Sequence, residues 1–223
     1  MGSRRAAEAK RWMSSLIQTP LRFIFVAIAL LLASEASVGQ SRSGHGVDFR
    51  NFTYPGIWYK EPFRLTKGTV EVQHEHCVSL YTFDDVRYVN LTGGARKEAL
   101  VTINDLTACG SSGVSLYFYV YSLVGNRPRL LWKFGSGADS EAGLKDFHLV
   151  GRTLVFELYG NYRLNGSKPK VVAWPHFCCP DCCPEKYTRL WVSWNGRRFV
   201  QTKRAVFPFR FKSIDDYEKT RKQ

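Results

Sequence analysis

The chain lacks most of what a catalytic or membrane-spanning protein carries. Its longest uninterrupted apolar run, Phe23 to Ala33, is eleven residues, about half of the ~20 that a helix needs to cross a bilayer core. Carboxylates are scarce, with 19 Asp and Glu against 32 Lys and Arg. No G-x-S-x-G elbow, no P-loop and no G-x-G-x-x-G after a strand pattern occurs. Gly110-Ser-Ser-Gly113 sets serines between glycines at the wrong spacing for an elbow, and Asp84-Asp85 and Glu141 are isolated acids of the kind that solvate loops. After residue 37 the only stretch that suits a helix is a short charged one, Ser213 to Lys222. A helical bundle and a nucleotide-driven enzyme are therefore disfavoured. A non-enzyme is expected, with no cofactor, although active-site residues can converge from distant strands without a motif.

What is present is aromatic, basic and rich in glycine. Aromatic residues make up 14% of the 223 residues and there are 18 glycines, a balance that favours β structure. The formal net charge is +13, of which residues 1–36 account for +3 (five Lys/Arg less two Asp/Glu), leaving +10 on the rest. The Lys and Arg are scattered and form no block, as on a well-hydrated surface. The same excess suits an anionic partner, such as an anionic surface or a glycan. Sequence-specific binding of nucleic acid is not expected.

Arg4, Arg5, Lys10, Arg11 and Arg22 precede the short apolar run, and small residues follow it. Basic, apolar, then small is the order of a secretory signal. Residues 1–36 are expected to be that signal, with cleavage near Ser34-Glu35-Ala36 and export to the periplasm or beyond. The alternative is an uncleaved N-terminal anchor helix. Residues 37–47 read as a flexible polar lead-in, 48–203 as the β-rich domain, and 204–223 as a basic tail in which Phe207, Phe209 and Phe211 alternate around Pro208, suited to an edge strand or a strap.

Within 48–203 the alternation of residues predicts a mainly β fold: two antiparallel four-stranded meanders, about 85–134 and 146–203, packed as a sandwich or a blade-like pair, with little helix outside the signal. Asp48 to Pro62, aromatic with two prolines, should cap a core or cross a sheet edge. Thr69 to Cys77 reads as a strand that Val78 to Phe83 continues or pairs with. In Val114 to Leu123, Tyr117, Tyr119 and Tyr121 face one way and Leu116, Phe118 and Val120 the other. A strand apolar on both faces is covered on both. Gly160 to Glu185 reads as a long polar excursion. Asn195-Gly196 is a strong hairpin turn, since both residues tolerate positive φ.

The run Val89-Asn-Leu-Thr-Gly-Gly-Ala-Arg-Lys-Glu-Ala-Leu-Val101 resembles the strand–loop–strand of FG-GAP and VCBS-like repeats, D-x-T-G-D-G-x-x-E-A-x-V. With SLYFYVYSL, LVFELYG, the CCP run and WNGRRF, residues 47–203 resemble exported bacterial proteins of unknown function that carry this motif, and more loosely the LppP/LprE lipoproteins. The resemblance implies an extracytoplasmic β-rich module and no reaction. In such repeats the loop acids face a cation, which needs several oxygen ligands. Here the corresponding positions are degenerate: Asn90 is an amide, Gly94 has no side chain, and only Thr92 and Glu98 keep oxygens. Asn51, Asn90 and Asn165 begin N-glycosylation triplets, which matter only in a eukaryotic host, and the resemblance points to bacteria.

Six cysteines, Cys77, Cys109, Cys178, Cys179, Cys182 and Cys183, form an even set that in an exported protein favours disulfides. Cys77 and Cys109 are expected either to pair with each other or to tie down the Cys178–Cys183 loop. CCPDCCP also holds a C-x-x-C, Cys179 to Cys182, which suits zinc or a redox dithiol. A metal set drawn from His74, His76, Cys179 and Cys182, with His176 nearby, is the weaker alternative. On these readings the chain is an exported, non-catalytic binding or structural protein, with a metal-binding or thiol-redox protein as the alternative.

Overall fold

The computed structural model describes residues 46–75, 77–107, 114–125, 127–138, 142–172 and 185–209. The chain divides into Met1–Gly44, which lies outside the described residues, and His45–Gln223, which holds every element below.

The fold is mainly β, and all of its strand pairs are antiparallel. A single 3-10 turn, Phe49–Asn51, is capped by Asp48, whose side chain accepts the Arg50 N–H. It leads into a small hairpin of β1 (Thr53–Tyr54) and β2 (Phe63–Arg64). Then follow β3 (Thr69–Gln73), β4 (Val78–Val89), β5 (Glu98–Thr107), β6 (Val114–Val124) and β7 (Arg127–Gly135), side by side in chain order as one five-stranded sheet. The second sheet has four strands: β8 (Leu144–Val150), β9 (Thr153–Tyr159), β12 (Lys186–Trp194) and β13 (Phe199–Pro208), in the order β13-β12-β9-β8. Between β9 and β12, β10 (Tyr162–Asn165) and β11 (Lys168–Val171) form a hairpin that is a two-stranded sheet of its own.

Alternation along β6 decides the layering. Phe118 and Val120 face one way and join Trp132 and Phe134 of β7, Leu154, Phe156 and Leu158 of β9, Leu190 and Val192 of β12, and Phe199 of β13. Tyr117, Tyr119 and Tyr121 face the other way and meet Phe49, Tyr54, Ile57, Phe63 and Leu65 from the N-terminal segment. The unit His45–Gln223 thus contains a sandwich of two sheets with a third, aromatic layer over the back of the larger sheet. Removing side chains of this size from water contributes about 1.5–3 kcal/mol each. The back layer is also tied by polar bonds: the Tyr119 hydroxyl donates to Pro55 O at 3.1 Å, Lys133 Nζ to Gly56 O at 2.6 Å, and Trp58 Nε1 to Ser136 O at 2.9 Å.

Four details differ from the sequence reading. The first sheet has five strands, because Thr69 to Gln73 pairs with the start of β4 and adds an edge. Val78 to Val89 is one strand with a bulge at Phe83/Asp85, so the break expected at Asp85 is a kink that keeps the ladder going. The polar excursion at 160–185 contains the β10–β11 hairpin, whose Tyr162 is buried in the main core with Leu164 and Val171 against it. The tail expected from Arg204 gives its first five residues to β13, an edge strand. Edge positions also take Pro128 and Pro208, which lack the N–H a central strand needs.

Candidate functional site

Antiparallel neighbours send alternate turns to opposite ends of a sheet. In the larger sheet the β4–β5 loop and the β6–β7 turn therefore share one end. In the smaller sheet β9 begins where β12 ends, with Leu154 opposite Val192. The β8–β9 and β12–β13 turns thus lie together, joined by a 2.8 Å hydrogen bond between the Thr153 and Ser193 hydroxyls. The two pairs of turns belong to the same end of the sandwich, since the Arg152 guanidinium fills the space beside Gly93 that a Cβ would take.

Among the described residues, that end has no carboxylate on its surface. The segments Val89–Lys97, Leu123–Arg129, Leu149–Thr153 and Ser193–Phe199 contain no Asp or Glu and seven cations: Arg96, Lys97, Arg127, Arg129, Arg152, Arg197 and Arg198. All seven are exposed, and none enters an ion pair among the described residues. The opposite end is different, with Glu75 in the β3–β4 turn and Glu185 just before β12. Unneutralised charges held by rigid hairpins sum to a field that attracts anions. The β12–β13 turn also departs from expectation. Trp194 pairs with Phe199, so the loop is Asn195–Arg198. Only Gly196 has positive φ, while Asn195 Oδ1 accepts the N–H groups of Arg197 and Arg198 at 3.0 Å. The asparagine shapes the turn with its side chain, and both arginines project from it.

The nearest acid, Glu98, is buried beneath the β4–β5 loop and turned to the loop's own donors. Its carboxylate accepts from Leu91 N at 2.8 Å, Thr92 N at 3.2 Å and Thr92 Oγ1 at 2.7 Å. Asn90 Oδ1 accepts from Gly93 N at 2.7 Å, and Asn90 Nδ2 donates to Gly94 O at 2.7 Å. The four positions Asn90, Thr92, Gly94 and Glu98 do converge, but as a closed set of donor–acceptor pairs. N–H and O–H groups occupy the places where a cation would need oxygen.

A second ionic feature lies on the outer face of the smaller sheet. Glu157 of β9 is buried between Lys145 of β8, at 2.6 Å, and Arg189 of β12, at 2.5 Å. Burial alone would raise its carboxyl, but the hydrogen bonds from Lys145 and Arg189 outweigh that and hold it below the ordinary value. The cations in turn lie over rings: Lys145 over Tyr187 at 4.6 Å, Arg189 over Phe207 at 5.0 Å, and Lys203 over Trp191 at 4.8 Å. Carboxylate, cations and rings satisfy one another, so this face is closed in the way the turn end is not.

At the opposite end, His74 stacks on Tyr59 with ring centroids 3.5 Å apart, and the Tyr59 hydroxyl is 3.5 Å from Cys77 Sγ. Cys77 is disulfide-bonded. His76, Cys109, His176, Cys178, Cys179, Cys182 and Cys183 lie outside the described residues, so the expected metal set is represented only by His74. Among the described residues no three His, Cys, Asp or Glu side chains gather as a metal would require. A shallow cleft of about 90 Å³ opens at the β4 bulge, lined by Asp84, Asp85, Arg87 and Thr102 over Phe118 and Phe147. Its polar groups are mutually engaged, Thr102 Oγ1 donating to Asp84 at 2.8 Å and Arg87 Nε to Asp85 at 2.7 Å.

Sequence reasoning singled out the residues of the β4–β5 loop and missed the arginines around it. The signal available was the absence of acid from every turn at one end. Among the described residues no helix is long and apolar enough to cross a membrane. No family model, no curated protein and no solved structure matches the chain.

Proposed function

We propose that the chain is an exported, non-catalytic binding module that holds an anionic surface or polymer against the acid-free turn end. The observation that carries this reading is the gathering of seven exposed, unpaired cations on four turns with no acid between them. The buried carboxylates favour a structural over a catalytic use. Glu98 is filled by loop donors, Asp105 accepts the Tyr117 hydroxyl at 2.7 Å, and Glu157 is held by two cations. Export, cleavage of residues 1–36 and kinship with the FG-GAP/VCBS-like exported proteins belong to the same proposal, resting on the basic–apolar–small leader and on the Val89–Val101 loop. A disulfide between Cys77 and Cys109 belongs to it as well. Ser79 faces Thr107 across β4 and β5, and in sequence Cys77 lies two residues before Ser79 and Cys109 two residues after Thr107.

The test is salt elution from an immobilised sulfated polysaccharide. A variant with Arg96→Glu, Arg152→Glu and Arg198→Glu is compared with one carrying Lys60→Glu, Lys67→Glu and Lys170→Glu, which has the same net charge. Because each anion contact adds salt dependence, the first variant should elute at clearly lower salt than the second. Equal elution of the two would show that only net charge matters and would end the assignment of the turn end.

A further inference from the structure

We infer that the anion this end meets is the headgroup layer of a lipid bilayer, with Val124 and Val150 entering the interface. The inference rests on the reading of the turn end as the anion-binding surface and adds what the anions are attached to. Val124 and Val150 are the two most exposed large hydrophobic side chains among the described residues, at 61% and 57%. Single exposed valines are ordinary on any protein surface. These two are distinguished by their place. Val124 closes the β6–β7 turn opposite Arg127, and Val150 closes the β8–β9 turn opposite Thr153, beside Arg152. Each apolar tip is therefore next to an arginine with no ion-pair partner, at the end that lacks acid among the described residues.

The turns between them are built to project. Gly125 and Gly151 take positive φ, +61° and +59°, and apart from the adjoining residues no atom lies within 4 Å of where their Cβ atoms would be. Tight glycine turns let a hairpin end abruptly, so the valines stand at the extremity with open space around them. A soluble polyanion gains nothing from an exposed valine. A bilayer interface takes both groups at once: apolar tips at the level of the acyl boundary, guanidinium groups among anionic headgroups.

The experiment is co-sedimentation of the chain from Ser37 onward with vesicles of phosphatidylcholine alone and of phosphatidylcholine containing phosphatidylglycerol. This form keeps both hydrophobic clusters whole and omits Phe23–Ala33, which would partition into lipid by itself. Binding is expected only to the vesicles with phosphatidylglycerol. Arg152→Glu and Arg197→Glu should each weaken it about fivefold or more, and Val124→Ser with Val150→Ser about tenfold. Lys60→Glu should leave it unchanged, and circular dichroism should show every variant folded. If the arginine variants lose binding while the serine pair binds like the parent, the valines do not enter the interface and only charge draws the chain to the vesicles, as it would to any polyanion, so this inference falls and the anion-binding reading survives. If the arginine variants bind like the parent, or if vesicles without phosphatidylglycerol bind as well, both fall.

Discussion

Glu98 reaches back across its own loop to accept the Leu91 backbone N–H at 2.8 Å. Leu91 is buried, so this N–H has no water to turn to once the carboxylate is gone. Two further donors from Thr92 fill the remaining oxygen positions. Glu98→Ala should therefore cost about 3 kcal/mol, mostly from the orphaned donor and the lost charge-assisted bonds. In a chain of this size that lowers the Tm by roughly 6–12 °C. Calcium added to the parent protein should leave its Tm where it was, because the loop offers donors where that ion needs acceptors. A calcium-dependent rise in Tm that disappears in Glu98→Ala would mean the loop rearranges to bind the ion.

Glu157 supports a similar argument with a pH signature. Its carboxyl is held below the ordinary 4.5 by Lys145 and Arg189. A carboxyl lowered by folding stabilises the native state at pH above the unfolded value, and that contribution is lost as the pH falls through the folded value. Glu157→Gln should thus be less stable than the parent at neutral pH by about 2 kcal/mol. This is less than a fully buried pair would lose, since both cations reach solvent. The gap should close as the pH falls below about 4.5. Urea midpoints measured down the acid range check it. A gap independent of pH would assign the loss to packing.

The two faces of β6 were legible in the sequence, because alternation of Tyr117, Tyr119 and Tyr121 with Phe118 and Val120 states both burial patterns at once. The hairpins around Gly151 and Asn195 were legible for the same local reason. The β10–β11 hairpin was not, since four-residue strands are too short to show a period and Tyr162 is buried by partners far away in the chain. The basic end was hidden for a different reason. Arg96, Arg127, Arg152 and Arg198 look scattered along the sequence, because each turn holds only one or two cations. Only the rule that alternate turns of a meander share an end brings them together, and it needs the strand order of both sheets. Glu157 was equally opaque, because its two cations come from strands on either side of its own.

The aromatic back layer makes a prediction at alkaline pH. Burial raises Tyr54, Tyr117, Tyr119 and Tyr121 above the ordinary 10.0, and pushes Tyr81 up to about 12. For groups raised by folding, stability is complete below the unfolded value and declines as the pH rises past it, since the unfolded chain ionises first. The protein should hold its stability up to about pH 10 and then lose it steeply. Ultraviolet titration can follow the five tyrosines of this layer. They should ionise above their ordinary value, in a cooperative step that coincides with loss of the circular dichroism signal. A single smooth titration near pH 10 with the fold intact would mean that the layer over the five-stranded sheet is open to water.

The disulfide at Cys77 fixes how the other cysteines must be counted. Ser79 faces Thr107 across the β4–β5 ladder, and in sequence Cys77 lies two residues before Ser79 and Cys109 two residues after Thr107. Directly opposed residues of an antiparallel pair have Cα atoms about 4.5–5.5 Å apart, inside the range a disulfide spans. Digestion without reductant should therefore yield one linked peptide containing Cys77 and Cys109, leaving Cys178, Cys179, Cys182 and Cys183 as a closed set. Cys77→Ser should cost about 3–4 kcal/mol, the loop-closure value for a bridge enclosing roughly thirty residues, and Cys109→Ser should cost the same. The double variant should be no worse than either single one, because one bond is lost in all three. A peptide joining Cys77 to the CCPDCCP run would sink the pairing and would place that run against the β3–β4 turn, beside Tyr59 and His74. Stoichiometric metal released together with four free thiols would keep the pairing and assign the run to a metal site, because all four of its sulfurs would then have been ligands and none a staple.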